Sequence, residues 1–109
     1  MFFKTEDKGA GIKIAVSGKL TEDYLLQDKY VQQTNEPVEG VGVFKLNNGE
    51  GYIMMYDLYT GGRYQFTLTK DCKNFKVIDD KVTMNFHPRH GTVMPITAEE
   101  KKRLLKKWR

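Results

Sequence analysis

The sequence lacks the features that usually crosslink a small chain or hold it in a membrane. Its 109 residues include one cysteine, Cys72, which excludes an internal disulfide and a zinc site built from cysteines. No apolar run approaches the roughly 18 residues of a membrane span, and the charged residues directly after Phe3 fit no signal peptide. The specific phosphate-binding pattern, a glycine-rich loop followed by Lys-Ser or Lys-Thr, is also missing. Burial of apolar side chains must therefore hold the fold together.

The composition suits one small domain or part of a larger one. Hydrophobic residues make up 39% of the chain and aromatic residues 12%, which is enough to bury a core and argues against a disordered chain.

The net charge of +4 comes from one end of the chain. Six of the 18 basic residues lie in the last nine positions: Lys101, Lys102, Arg103, Lys106, Lys107 and Arg109. The rest of the chain carries 12 basic and 14 acidic residues, a net charge of −2. We therefore predict neither a nucleic-acid partner nor a membrane partner.

Alternation of polar and apolar residues predicts short antiparallel strands over most of the chain. It is strict at 11–17 and at 63–69. Further candidate strands cover residues 24–31, 42–46, 52–59, 75–78 and 91–96. Asn47-Asn48-Gly49 and Gly61-Gly62 supply the positive-φ residues that tight hairpins require. The pattern predicts a meander of antiparallel strands.

A weak internal repeat with an offset of 52 residues underlies these strands. It sets 12–16 opposite 64–68 and Leu20 opposite Cys72. On this alignment Cys72 fills a small apolar site and is not a nucleophile. The repeat is typical of four-stranded propeller blades, although two amphipathic hairpins can also align this well by chance.

The period changes after Pro95. Thr97-Ala98-Glu99-Glu100 is a capping box and predicts the start of a helix. Leu104, Leu105 and Trp108 form one stripe along it. Either this stripe docks on the sheet and the basic residues form a solvated face, or the segment is an anion-binding or membrane-surface tail. We favour docking, because nothing else in the chain supports the second alternative.

His87-Pro88-Arg89-His90-Gly91 places two imidazoles and a guanidinium before a predicted strand. Histidines three residues apart face opposite sides of an extended chain and no third ligand is visible, so no residue is assigned to a metal. The segment is either a plain polar loop or a site where Arg89 and His90 bind a hydroxyl, a carboxylate or water.

Glu39 lies beside Gly40, directly before an apolar strand. Desolvation there would raise its pKa and favour the protonated form that a general acid needs. The alternative is an ordinary surface glutamate.

Several segments together resemble the C-terminal part of family 43 glycoside hydrolases, the five-bladed propeller arabinosidases and β-xylosidases. They cover residues 37–40, 43–46, 52–57, 63–66 and 86–93. The most specific are the Glu39-Gly40 strand entry and the run Arg89-His90-Gly91-Thr92-Val93. The resemblance extends from Phe2 to the closing helix.

The resemblance implies an all-β fold of antiparallel, blade-like four-stranded sheets, part of a five-bladed propeller, with a short C-terminal α-helix. Residues 1–109 would form a single partial propeller domain. It would comprise a partial blade at 1–36, a full blade at 37–86, the first strand of the next blade at 87–97 and the helix at 98–109. Because five blades need some 250 residues, sheet edges would stay open and homo-oligomers are expected.

The resemblance also implies inverting hydrolysis of arabinose- or xylose-containing plant-type polysaccharides or oligosaccharides. Glu39 matches the general acid, although Val41 replaces the proline usual after its glycine. Arg89, His90 and Asp57 are assigned to substrate binding. No cofactor is certain, and a channel cation such as calcium is compatible with the family. The catalytic base and the aspartate that orients the acid are expected upstream of the matched region, so the chain alone should be inactive.

The sequence is also compatible with a different class of function. The chain could be a noncatalytic carbohydrate-binding or self-assembling β module in which exposed Tyr56, Tyr59 and Tyr64 stack on sugars. The cellular location stays open as well, since members of the family are often secreted or periplasmic.

Overall fold

The computed structural model describes residues 1–6, 9–86 and 89–108, which form two antiparallel sheets and one α-helix. The first sheet contains β1 (Phe2–Thr5), β2 (Gly11–Val16) and β3 (Leu25–Gln27), in that order. The second contains β4 (Glu39–Lys45), β5 (Tyr52–Leu58), β6 (Arg63–Thr69) and β7 (Lys76–Val77), also in chain order. A 3₁₀ turn (Asp79–Lys81) and helix α1 (Ala98–Trp108) follow. The predicted all-β antiparallel fold with one short helix is confirmed.

Glycines close the hairpins of the second sheet, as predicted. Gly49 has φ +75° between β4 and β5, and Gly62 has φ +65° between β5 and β6. These left-handed conformations favour residues without a Cβ atom. Gly51 has φ +135°, and a Cβ atom there would lie 2.5 Å from the Thr69 carbonyl oxygen. The hairpin sequences therefore fix the register in which β5 pairs with its neighbours.

The core lies between the two sheets. Its fully or largely buried members come from both sheets and from the connection between them: Ile12, Ile14, Val31, Val38, Met54, Tyr56 and Leu58. Side chains alternate along a strand, so Met55 and Asp57 of β5 lie on the opposite face of the second sheet. We call this opposite face the site face.

The Tyr56 hydroxyl makes a buried polar link within this core. It accepts a hydrogen bond from the Gln33 backbone N–H (2.9 Å) and donates one to Gln65 Oε1 (2.6 Å). Burial raises the pKa of Tyr56 to about 12. Tyr56 is fully buried, so the suggestion that it stacks on sugars is wrong, whereas Tyr59 and Tyr64 are half-buried.

Three local predictions are wrong. Residues 91–96 form no strand, and the strand predicted at 24–31 shortens to Leu25–Gln27. Leu20, which the internal repeat sets opposite Cys72, is 89% exposed. Cys72 lies in a turn with φ +57° and is only partly buried, so it does not fill an apolar site. A strand needs a hydrogen-bonding partner as well as alternation, and residues 91–96 pair with neither of the described sheets.

Helix α1 begins as predicted but does not dock. Thr97 Oγ1 accepts from the Glu100 N–H (3.2 Å), and Glu100 Oε2 accepts from the Thr97 N–H (2.7 Å). In the described part of the chain no strand packs against α1, and its apolar stripe is exposed. Across the same residues, no helix has both the length and the apolarity to cross a membrane.

The boundaries between the predicted blades at 36/37 and 86/87, and the boundary before the helix at 97/98, stay predictions.

Among the residues named in the sequence analysis, His87, Pro88 and Arg109 lie outside the described residues.

Tyr56→Phe is expected to lower the free energy of unfolding by about 1–3 kcal/mol, because Gln65 Oε1 would be left buried without its donor and the Gln33 N–H would lose its acceptor. Urea denaturation measures this. Tyr52→Phe, which removes a hydroxyl from a half-buried ring on the same strand, is the matched control and should change stability by less than about 0.5 kcal/mol. Equal losses in the two variants would contradict the role of the Tyr56 hydroxyl.

Candidate functional site

Two carboxylates meet at one end of the site face. Glu39 of β4 pairs in register with Asp57 of β5, and residues directly opposite on neighbouring strands have adjacent side chains. The register shifts between Glu39 and Gly42, and Gly40 has φ +61°. This bulge separates Glu39 from the regular ladder and leaves room for a ligand or a side chain beside it.

Asp57 is the buried carboxylate of the pair. Its side chain is 1% exposed, and its Oδ2 accepts a hydrogen bond from Arg89 Nε (3.0 Å). His90 Nε2 lies 3.7 Å from the same oxygen. Asp57 Oδ1 is buried, and the described residues give it no partner. A buried carboxylate is costly unless it is paired, so Arg89 stabilises it and Oδ1 remains as a free acceptor.

Glu39 is the more accessible carboxylate. Its Oε1 lies 3.2 Å from His90 Nε2, and its Oε2 lies 3.3 Å from the Lys4 ammonium. The Lys4 hydrogen bond is the main cause that lowers the pKa of Glu39, partial desolvation opposes it, and the His90 contact adds to the lowering. The expectation of a raised pKa is therefore wrong, because the nearby cation outweighs the effect of desolvation.

Lys4 also contacts Glu6, at 2.7 Å. The ammonium therefore has two carboxylate partners, one at the site and one outside it.

Gly40 is needed for close packing around His90. A Cβ atom on Gly40 would lie 3.1–3.3 Å from three atoms of the imidazole ring. The glycine after Glu39 thus serves both the left-handed backbone turn and the approach of His90 to that carboxylate.

The chain that carries Arg89 and His90 crosses the site face beside an open apolar cleft. The Tyr64 hydroxyl donates to the Arg89 carbonyl oxygen (2.6 Å). A cleft of about 320 Å³ lies next to His90. It is lined mainly by apolar side chains, including Met55, Phe66, Met84, Phe86 and Val93.

The structure brings together all four residues singled out from the sequence, Glu39, Asp57, Arg89 and His90. Their roles stay predictions. Sequence reasoning missed Lys4, which carries no local motif and arrives from another sheet. It also missed the hydrogen bond from the Tyr64 hydroxyl to the Arg89 carbonyl oxygen. The position of Tyr64 opposite Asp57 could have been found, because it follows from the register of the predicted hairpin.

The site also has the donors for a cation. Glu39, Asp57 and His90 each offer one ligand atom, and these atoms lie within 4.8 Å of one another. Carboxylate oxygens suit calcium, and the added imidazole suits transition metals. The free Asp57 Oδ1 fits such a role, while the charges of Lys4 and Arg89 oppose it.

A comparison with protein families matches residues 1–102 to the family described as "Probable glycosyl hydrolase domain", which is related to glycosyl hydrolase family 43. The match includes both sheets and the four site residues. Neither the comparison with curated proteins nor that with solved structures gives a match.

Lys4→Met is expected to raise the pKa of Glu39, because the variant removes the ammonium that lowers it. Carboxyl NMR titration measures the pKa directly. A carboxylate with a lowered pKa adds stability above its ordinary pKa of 4.5 and loses it as the pH falls through the lowered value. The stability difference between wild type and Lys4→Met should therefore be present at neutral pH and vanish in acid.

Lys19→Met is the control for this titration, because Lys19 pairs with Glu22 and Asp23 away from the site. An unchanged Glu39 pKa in Lys4→Met would refute the assigned contact.

Gly40→Ala is expected to displace His90 and to cost about 1–2 kcal/mol of stability through the left-handed backbone. Gly49→Ala separates the two effects, since Gly49 also has a positive φ but a Cβ atom there meets nothing within 4 Å. Both variants should lose stability in urea denaturation, and only Gly40→Ala should shift the His90 ring signals in NMR spectra. Unshifted signals in Gly40→Ala would contradict the close packing.

Proposed function

The chain belongs to the glycosyl hydrolase family 43-related domains, and on that basis we propose that it carries the acid-bearing part of a glycosidase active site. The substrates are arabinose- or xylose-containing polysaccharides of plant type, cleaved by inverting hydrolysis. The observation that supports this best is the meeting of an accessible carboxylate, Glu39, with a buried and partly unpaired one, Asp57, at one end of a sheet.

Glu39 acts as the general acid in this proposal. It must be protonated to give its proton to the leaving glycosidic oxygen, whereas Lys4 favours its ionised form in the free chain. Lys4 also reaches Glu6, so a sugar entering beside Glu39 can displace the ammonium toward Glu6. The same sugar would exclude water from Glu39, and desolvation would then raise its pKa.

Asp57 and Arg89 bind the sugar in this proposal. Asp57 Oδ1 has no partner among the described residues, and because it is buried it can accept a hydrogen bond from a sugar hydroxyl only after neighbouring side chains move. Arg89 uses Nε for Asp57, so its other N–H groups are available to sugar oxygens. If a channel cation is bound, Asp57 and His90 would hold it, and it would supply positive charge toward the same oxygens.

Asp57 is too close to Glu39 to be the base of an inverting enzyme. Their nearest oxygens lie within 4.8 Å, whereas inverting glycosidases need roughly 6.5–9.5 Å between the two carboxyl groups to admit a water. We propose that the base comes from a part of the enzyme other than the described residues. Without it, the rate should fall by about 100- to 10,000-fold.

We further propose that the two sheets are parts of a five-bladed propeller and that their open edges pair with a second copy when no further sheet covers them.

A second candidate is a noncatalytic carbohydrate-binding or self-assembling module. The lowered pKa of Glu39 favours it, since an ionised carboxylate accepts hydrogen bonds from sugar hydroxyls but donates none. Half-buried Tyr59 and Tyr64 could add contacts to the sugar.

We expect the 109-residue chain to hydrolyse neither aryl arabinosides nor aryl xylosides, and Glu39→Gln to leave the background rate unchanged. Turnover that Glu39→Gln abolishes would show that the chain is catalytically complete and refute the proposed missing base. Azide, a nucleophile that needs no base, should restore slow cleavage of substrates with poor leaving groups in the wild type but not in Glu39→Gln. Binding without any azide rescue would favour the noncatalytic module.

NMR titration with arabino- and xylo-oligosaccharides tests the binding step by itself. Shift changes should centre on Glu39, Asp57, Arg89 and His90, and Arg89→Lys should weaken binding about tenfold or more through loss of charged hydrogen bonds. Arg63→Lys is the control, because Arg63 pairs with Glu36 away from the site. Equal weakening in both variants, or no binding at all, would contradict the proposed role of Arg89.

A further inference from the structure

Helix α1 has a surface that the proposed function does not use. Leu104, Leu105 and Trp108 are 50%, 48% and 74% exposed, and no strand of the described chain packs on them. The family match ends at residue 102, before the three residues of this apolar stripe. The stripe therefore calls for a partner other than the two sheets.

The helix is amphipathic, with charge of one sign over most of its length. At about 100° per residue the three apolar side chains fall within one sector, and basic residues occupy the rest of the last two turns. The basic residues of the described helix are Lys101, Lys102, Arg103, Lys106 and Lys107. Both acidic residues lie in the first turn, where Glu100 is already used in the cap.

We propose that α1 binds the surface of an anionic lipid bilayer. The apolar stripe would lie at the boundary between headgroups and acyl chains, and the lysines and Arg103 would contact lipid phosphates. Trp108 suits that boundary, since its ring is apolar and its indole N–H is a donor. Lys101 lies within the sector of the stripe, one turn before Leu104 and Leu105, and its long stem carries the ammonium to the headgroups.

Other occupants fit the helix less well. A nucleic acid would use the basic residues but leave Leu104, Leu105 and Trp108 in water. Pairing of two α1 helices through their stripes would bring together two sets of five basic residues, which repel each other. A membrane surface satisfies the charge and the apolar stripe at once. The sequence favours a docked stripe over a membrane-surface tail, whereas in the described chain no strand packs on the stripe.

Trp108 is the only tryptophan of the chain, so its fluorescence reports on α1 alone. The full chain is titrated with vesicles of phosphatidylcholine and with vesicles that also contain about 30% phosphatidylglycerol. We expect a blue shift of the emission with the anionic vesicles at about 0.1 M salt, its loss at about 1 M salt, and no shift with the neutral vesicles. Co-sedimentation of the chain with the vesicles provides a second measurement.

Two double variants test the basic residues and the apolar stripe of α1 separately, and both keep Trp108 as the fluorescent reporter. Lys106→Glu with Lys107→Glu should lower the partition coefficient at least about 25-fold, since each basic residue near an anionic surface contributes a factor of about five. Leu104→Ser with Leu105→Ser should lower it about tenfold or more.

Matched controls make the same chemical changes elsewhere. Lys45→Glu with Lys73→Glu alters two exposed lysines of the body, and Leu25→Ser with Leu26→Ser alters two exposed leucines of β3. Both controls should bind anionic vesicles within about threefold of wild type, because they leave α1 intact.

Several results would overturn the proposal. These are a lack of response to anionic vesicles by a chain whose circular dichroism shows it folded, equal binding to neutral vesicles, and equal loss of binding in the controls. A blue shift that depends on chain concentration without lipid would identify self-association as the role of the stripe. A response to duplex DNA but not to vesicles would identify a nucleic-acid partner.

Discussion

The buried hydroxyl of Tyr56 links the connection between the two sheets to the second sheet. It joins Gln33, in the connection between the sheets, to Gln65 on β6. That connection continues through fully buried Val38 into β4, so the link helps to set where β4 begins. The position of Glu39 opposite Asp57 depends on that starting point, because a shift of one residue would turn Glu39 to the other face. The site thus depends on a hydrogen bond on the far side of the sheet.

Two carboxylates that are neighbours in the ladder have opposite environments. Asp57 is buried and its charge is compensated by one guanidinium, while Glu39 is accessible and shared between an ammonium and an imidazole. Such divergence between paired acids is how active sites give chemically identical groups different tasks. The two ion pairs, Asp57 with Arg89 and Glu39 with Lys4, also differ in how easily they separate. Arg89 is held by a buried partner, whereas Lys4 has a second carboxylate within reach.

Local sequence patterns predicted the parts of the structure that depend on the backbone conformation of a few neighbouring residues. Alternation and positive-φ glycines predicted the hairpins, because Gly49 and Gly62 meet a backbone requirement whatever surrounds them. Resemblance to a family supplied the candidate site residues, which spacing alone left ambiguous. Lys4 could not be predicted, since its contact with Glu39 depends on how one sheet lies against the other. The strand expected at 91–96 and the docked helix failed for the same reason, because both require a partner surface that no local pattern reveals.

The segment that carries Arg89 and His90 is fastened to the site face chiefly by side chains. Residues 89–97 make no β-ladder in the described chain, and the polar contacts that hold them are those of Asp57, Glu39 and Tyr64. Such a segment can open without breaking the sheets, at a free energy well below that of global unfolding. Opening of residues 89–97 would take the guanidinium and the imidazole away from the two carboxylates while the hydrogen bonds of β5 stay intact, so half of the site can be absent in a chain that is still folded.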